Sequence, residues 1–169
     1  MAHPLVEQLR FTRSEWLRGL EGISEEDGAH HVGPMNCISW TVGHLAWQEQ
    51  RYFLQRAQGV IIFPDLNTVY AYGAPMSTPT LSEAMHLWQA VVQSSALYLD
   101  GLTTESLQGD LLLDGKAVGQ TVGSAMRRMT YHYWYHIGEI QAVRQILGHA
   151  GLPEYVGPIE TLAPYRPEP

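Results

Sequence analysis

Apolar residues recur with a helical period in four stretches of the chain. From Pro4 to Leu20, Leu5, Leu9, Trp16 and Leu20 share one face at about 3.6 residues per turn. Pro4 suits the first turn, where its missing N–H would have no helical partner. From about Ile38 to Gln58, apolar residues (Ile38, Trp40, Val42, Leu45, Trp47, Phe53, Leu54) occupy much of the circumference, the pattern of a helix with neighbours on several sides. A third helix starts at Thr80, whose spacing to Glu83 is that of a capping box, and carries Leu81, Met85, Trp88, Val92 and Leu99 as its buried stripe. The fourth runs from about Thr121 to Leu147 with Met126, Met129, Tyr133, Ile137, Ile140 and Leu147 inward, and stops at Gly148.

The segments between are of a different chemistry. Gly22 and the acidic run Ser24–Gly28 end the first helix. Residues 59–79, rich in Pro and Gly, are too long for a simple turn and read either as an excursion that covers a substrate or as a packed Ω-like loop. Between residues 101 and 120 the run Leu111-Leu112-Leu113-Asp114-Gly115 suggests a short strand and turn. Residues 151–169 hold five prolines and should form an irregular tail. With no competing strand pattern, the expected class is all-α: one four-helix-bundle domain over residues 1–169, with the helix neighbours left open.

Composition narrows the function. Ten Lys and Arg against seventeen Asp and Glu give a net charge of -7, which opposes a phosphate-neutralising surface and so argues against nucleic acid as a partner. Cys37 is the single cysteine and cannot close an intramolecular disulfide. That suits a reducing cytoplasm. The start MAHPLVEQLR does not read as a secretory signal, and no run approaches the roughly 18–20 apolar residues that span a bilayer. A soluble, cytoplasmic protein with no membrane association is expected.

The informative chemistry is histidine. In YHYWYHIGEI, from Tyr131 to Ile140, His132 and His136 are four apart and stack on one strip of the fourth helix, where Glu139 and Val143 join them. The strip adjoins the apolar stripe, so both imidazoles face inward and need partners. They are either metal ligands or half-buried histidines bonded to carbonyls and tyrosines. The zinc-protease motif is excluded, because Tyr133 stands where that motif requires Glu. A tight site needs a third ligand from another element. His44, in TVGHLAWQEQ, is the best candidate, although Thr41, Gln48, Arg51 and Gln55 share its strip and a solvated face would look the same. His3, His30, His31, His86 and His149 read as structural or exposed, with His31 the strongest exception.

The segments GHLAWQE (Gly43–Glu49) and HYWYHIGEI (His132–Ile140) resemble those of the DinB/YfiT-like superfamily. The likeness extends over nearly the whole chain in helix order and length. That family places one histidine on the second helix and an H-x-x-x-H on the last long helix, which corresponds here to His44, His132 and His136. The resemblance implies a four-helix bundle, often a homodimer, that binds zinc or nickel. It also implies, for some relatives, a low-molecular-weight thiol cosubstrate, and activities that include thiol S-transfer, isomerisation and hydrolysis of small molecules.

Three neutral imidazoles would leave an ion with an open position, able to lower the pKa of a water toward about 7 or to favour a thiolate. Hydrolysis and thiol transfer to a small electrophile are both compatible with that ligand set. A non-catalytic metal-bearing bundle with a binding or stress-linked assembly role is the alternative. Glu139 is read as orienting a histidine, acting as a base or becoming a further ligand. Glu49 is read as a buried site carboxylate, or else as a salt-bridge partner of Arg51 or Arg128. Tyr70, Tyr72, Tyr133 and Trp47 either wall a pocket or belong to the core. Cys37 is read as a small buried hydrophobe.

Overall fold

The computed structural model describes residues 2–167. Among these, helix dominates: α1 is Pro4–Leu20, α2 Glu25–Ala29, α3 Ile38–Glu49, α4 Leu66–Val69, α5 Leu81–Asp100, α6 Thr104–Leu107, α7 Val122–Ile146 and α8 Ile159–Leu162. A two-stranded sheet, β1 (Asp110–Leu113) and β2 (Lys116–Thr121), lies between α6 and α7. No described helix is long and apolar enough to cross a membrane. The four long helices stand where the periodicity puts them. The differences are local: the acidic run after α1 forms the short helix α2, capped by Ser24, and α3 continues into a π-helix at Gln50–Arg56.

The described chain forms two compact units. One comprises residues up to Glu21, Leu97–Leu111 and everything from Ala117 on; the other comprises Gly22–Ala96 and Leu112–Lys116.

In the first unit, α1 packs along α7. The apolar face of α1 includes Val6, Leu9 and Trp16, all fully buried, and Trp16 meets the edge of the Tyr133 ring at 5.9 Å. Phe11 meets Trp134 at 6.3 Å. The open carbonyls at the end of α1 are satisfied from α7: Arg144 donates to Gly19 O at 2.6 Å and to Glu21 O at 3.0 Å. This lets a buried guanidinium stand in for the missing helical partners. The fully buried Glu15 pairs with Arg18 and accepts from Val156 N at 3.0 Å, tying the tail to α1. Thr121 caps α7 by accepting from Ser124 N, and Gly148, at φ 82°, ends it.

In the second unit, the capping box at Thr80 forms as the spacing predicts. Glu83 N donates to the Thr80 hydroxyl at 3.2 Å, and the Glu83 carboxylate accepts from Thr80 N at 3.3 Å. Glu25, on α2, adds a second cap by accepting from Leu81 N at 2.6 Å and Ser82 N at 2.9 Å. The strand and turn read at residues 111–115 form a hairpin. Asp114 and Gly115 both take positive φ, 50° and 75°, as its two-residue turn requires.

The 59–79 segment is a packed loop. Three side chains on one face of α3 donate to it: Trp40 Nε1 to Val69 O at 3.2 Å, His44 Nδ1 to Tyr70 O at 2.8 Å and Trp47 Nε1 to Asn67 Oδ1 at 3.0 Å. The buried Gln50 completes the fastening. Its carbonyl oxygen accepts from Ile62 N and Phe63 N, and its amide donates to Phe63 O.

Candidate metal centre

His44 lies on α3, where an otherwise apolar stretch buries it (6% exposed). Its ring stacks on Trp40 at 5.1 Å and 14°, and Trp47 closes the other side at 5.3 Å. Its Nδ1 faces a carbonyl acceptor, Tyr70 O, so Nδ1 carries the proton and Nε2 presents its lone pair. Gly43 makes this possible. A Cβ at residue 43 would overlap the Tyr70 ring, so only glycine lets the loop lie close enough for its carbonyl to reach His44. Burial, with Glu83 and Cys37 nearby, pushes the Tyr70 phenol above its usual pKa and keeps the ring neutral.

His132 and His136 lie on α7, His136 buried and His132 half-buried. Their Nε2 atoms are 3.0 Å apart. His136 Nδ1 is 2.6 Å from Glu139 Oε2, so the carboxylate holds the Nδ1 proton and leaves the His136 Nε2 lone pair aimed at His132. Tyr135 presents its ring edge-on to His136 at 5.0 Å and limits its rotation.

One ligand atom each from His44, His132 and His136 lies within 4.8 Å of the other two. The three imidazoles could therefore hold a metal ion. Bonds of about 2.0–2.1 Å to a four-coordinate ion separate two nitrogens by about 3.3 Å, close to the 3.0 Å found on α7. The donor set fits as well. Two of the three rings have Nδ1 committed to an oxygen acceptor, the outer-sphere arrangement that sets the tautomer of a metal-ligating histidine.

Glu49 is fully buried. Tyr70, Trp47 and Tyr133 are buried, whereas Tyr72 is 91% exposed and walls nothing. His31 bridges Met35 O and the Thr78 hydroxyl, and His149 accepts from Arg144. His3 caps α1. Cys37 is buried against Ser39. Sequence reasoning missed the Tyr70 carbonyl as the partner of His44. Backbone acceptors leave no trace in residue identity, and the one available signal was the glycine immediately before the histidine.

No curated protein matches the chain. A family model described as the DinB superfamily matches residues 8–140, most of the chain and all three histidines. The chain belongs to the DinB superfamily.

Proposed function

We propose that this protein is a metal-dependent enzyme in which His44, His132 and His136 bind one divalent ion, zinc or nickel, and that it acts on a small electrophilic substrate by thiol transfer or hydrolysis. The observation that carries this reading is the convergence of three imidazole nitrogens within 4.8 Å. Family membership supports it. It also supports a four-helix bundle built from α1, α3, α5 and α7, since the match spans three of these helices completely or nearly so and most of α7. Because that match crosses both compact units, one domain is the simplest reading of the whole chain. The same reading places the protein in the cytoplasm as a homodimer, with a low-molecular-weight thiol as cosubstrate if transfer is the reaction.

A divalent ion at this site would supply Lewis acidity, favouring the deprotonated form of a water or thiol. The chain's own residues do the rest. Tyr70 O and the Glu139 carboxylate accept from Nδ1 of His44 and His136, which orients both rings and leaves Nε2 as the ligating atom of each. Trp40 and Trp47 prevent His44 from turning away. Glu139 is also the group best placed to take up a proton beside the site, because it already shares one with His136 at 2.6 Å. Glu49, fully buried, is assigned a supporting role as a site carboxylate.

The test begins with elemental analysis of protein purified without chelators, which should find about one ion per chain. Cobalt should then replace it, and the visible spectrum should change on adding low-molecular-weight thiols. A panel of thiols with electrophiles, and of ester and amide substrates, should show turnover that His136→Ala abolishes together with the spectral response. A loaded site with neither response nor turnover would establish the non-catalytic metal-binding alternative, and absence of stoichiometric metal would overturn both.

A further inference from the structure

The π-helix at Gln50–Arg56 interrupts an otherwise regular helix, and such turns are uncommon and concentrate at functional sites. Here it has a specific consequence. In an α-helix, at 100° per residue, positions five apart point about 140° away from each other. A π-helix closes on i→i+5 hydrogen bonds and brings such positions together. Arg51 and Arg56 are one such pair, Gln50 and Gln55 the other.

Both arginines are half-buried and both lie over aromatic rings. Arg51 Cζ is 5.1 Å from the Trp47 centroid and 5.6 Å from that of Tyr52, and Arg56 Cζ is 5.7 Å from Tyr52. A guanidinium over a ring is held there by cation–π attraction and keeps N–H groups that can serve an acceptor. Among the described residues neither arginine has a carboxylate partner. By contrast Arg10, Arg18 and Arg166 pair with Asp100, Glu15 and Glu7. The proximity of Arg51 and Arg56 is unfavourable: burial, and then the charge of Arg51, push the Arg56 guanidinium below its usual pKa. A cavity of about 430 Å³ opens beside Arg56, lined by Gln55, Gln58, Ile61, Leu112 and Asp114 among others. Asp114 sits on its rim without forming an ion pair to Arg56.

We propose that Arg51 and Arg56 form an oxyanion-binding site for a small molecule bearing a carboxylate or phosphate group, with the π-helix as the device that aligns them. An oxyanion bridging the two N–H edges would relieve their repulsion and gain charge-assisted hydrogen bonds. The site requires nothing of the metal centre and can be tested without it.

The full chain, labelled with ¹⁵N-arginine, is titrated with inorganic phosphate and separately with succinate against sodium chloride at matched ionic strength. Saturable shifts of two arginine Nε–H signals are expected, and those two signals should be the ones lost in Arg51→Gln and Arg56→Gln. Each substitution should weaken binding by at least about tenfold, while Arg10→Gln leaves it unchanged. The stronger of the two titrants identifies phosphate or carboxylate as the recognised group. Linear shifts, shifts matched by chloride, or shifts shared equally by the Arg10 signal would overturn the proposal. Should either Gln variant fail to fold by far-UV circular dichroism, the wild-type competition between chloride and oxyanion decides alone. Repeating the titration on His136→Ala separates this site from the metal reading: unchanged anion binding is expected, and loss of binding there would count against an independent site.

Discussion

At the scale of single residues, the candidate centre depends as much on what holds each imidazole as on the imidazoles themselves. His136 meets the Glu139 carboxylate at 2.6 Å. Glu139→Gln keeps the shape but weakens the acceptor, and should lower metal affinity by about 10–100-fold while the fold persists. Competition with a chromophoric chelator measures this. Gly43 makes a different prediction. A methyl group there would overlap the Tyr70 ring, so Gly43→Ala should destabilise the protein by about 1–3 kcal/mol, as overpacking does. It should also weaken the metal site, because the Tyr70 carbonyl that orients His44 must move with its ring. Urea melts of the metal-free protein isolate the first effect, and chelator competition reads the second. Residue identity made the three histidines legible, since i,i+4 spacing on a helix has one geometric meaning. It could not reveal whether the strip of His44, shared with Thr41, Gln48 and Arg51, faces water. The loop that buries it arrives from residues 67–70.

At the scale of elements, the long helices are defined by local signals, and their caps can be tested one at a time. Thr121 accepts from Ser124 N at the entrance to α7. Thr121→Ala should cost about 1 kcal/mol, measured by equilibrium unfolding. The entrance to α5 is pH-sensitive. Partial desolvation pushes the Glu25 carboxyl up, but hydrogen bonds from Leu81 and Ser82 more than offset this and leave its pKa below the usual value. Hydrogen bonds from the Thr80 hydroxyl and N–H lower that of Glu83. Both carboxyls are depressed in the folded state. Their contribution is therefore present above the unfolded-state pKa, about 4.3, and is lost as the pH falls through the lower folded values. The protection of the Leu81 and Ser82 amides against exchange, relative to the unstructured rate at the same pH, should fall in acid, and Glu25→Gln should reproduce that fall at neutral pH. Helix ends were readable because caps are short-range. The π-helix was not, since its hydrogen-bond shift has no residue signature and the span from Ile38 to Gln58 looks equally helical either way.

At the scale of the whole molecule, metal binding and folding should be coupled, because His44 lies 88 positions before the nearer of the two other ligands, His132. An ion that binds only the folded state stabilises it by about 2.7 kcal/mol at a hundredfold excess over Kd. For a chain of this size that corresponds to a rise in Tm of about 5–10 °C. Thermal unfolding with and without EDTA should show that difference, and His132→Ala should abolish it. A melting temperature indifferent to EDTA in protein known to carry the ion would mean that the three histidines do not hold it.

The sequence alone determined the four long helices, the hairpin turn and the capping box and singled out the three histidines, because each follows from spacing within a few residues or from likeness to a family. Tertiary structure decided what long-range contact decides: that a loop packs over α3, that Tyr70 O and Glu139 set the imidazole tautomers, and that three ring nitrogens come within 4.8 Å of one another. Such proximity depends on how distant segments pack, and no periodicity along the chain encodes it.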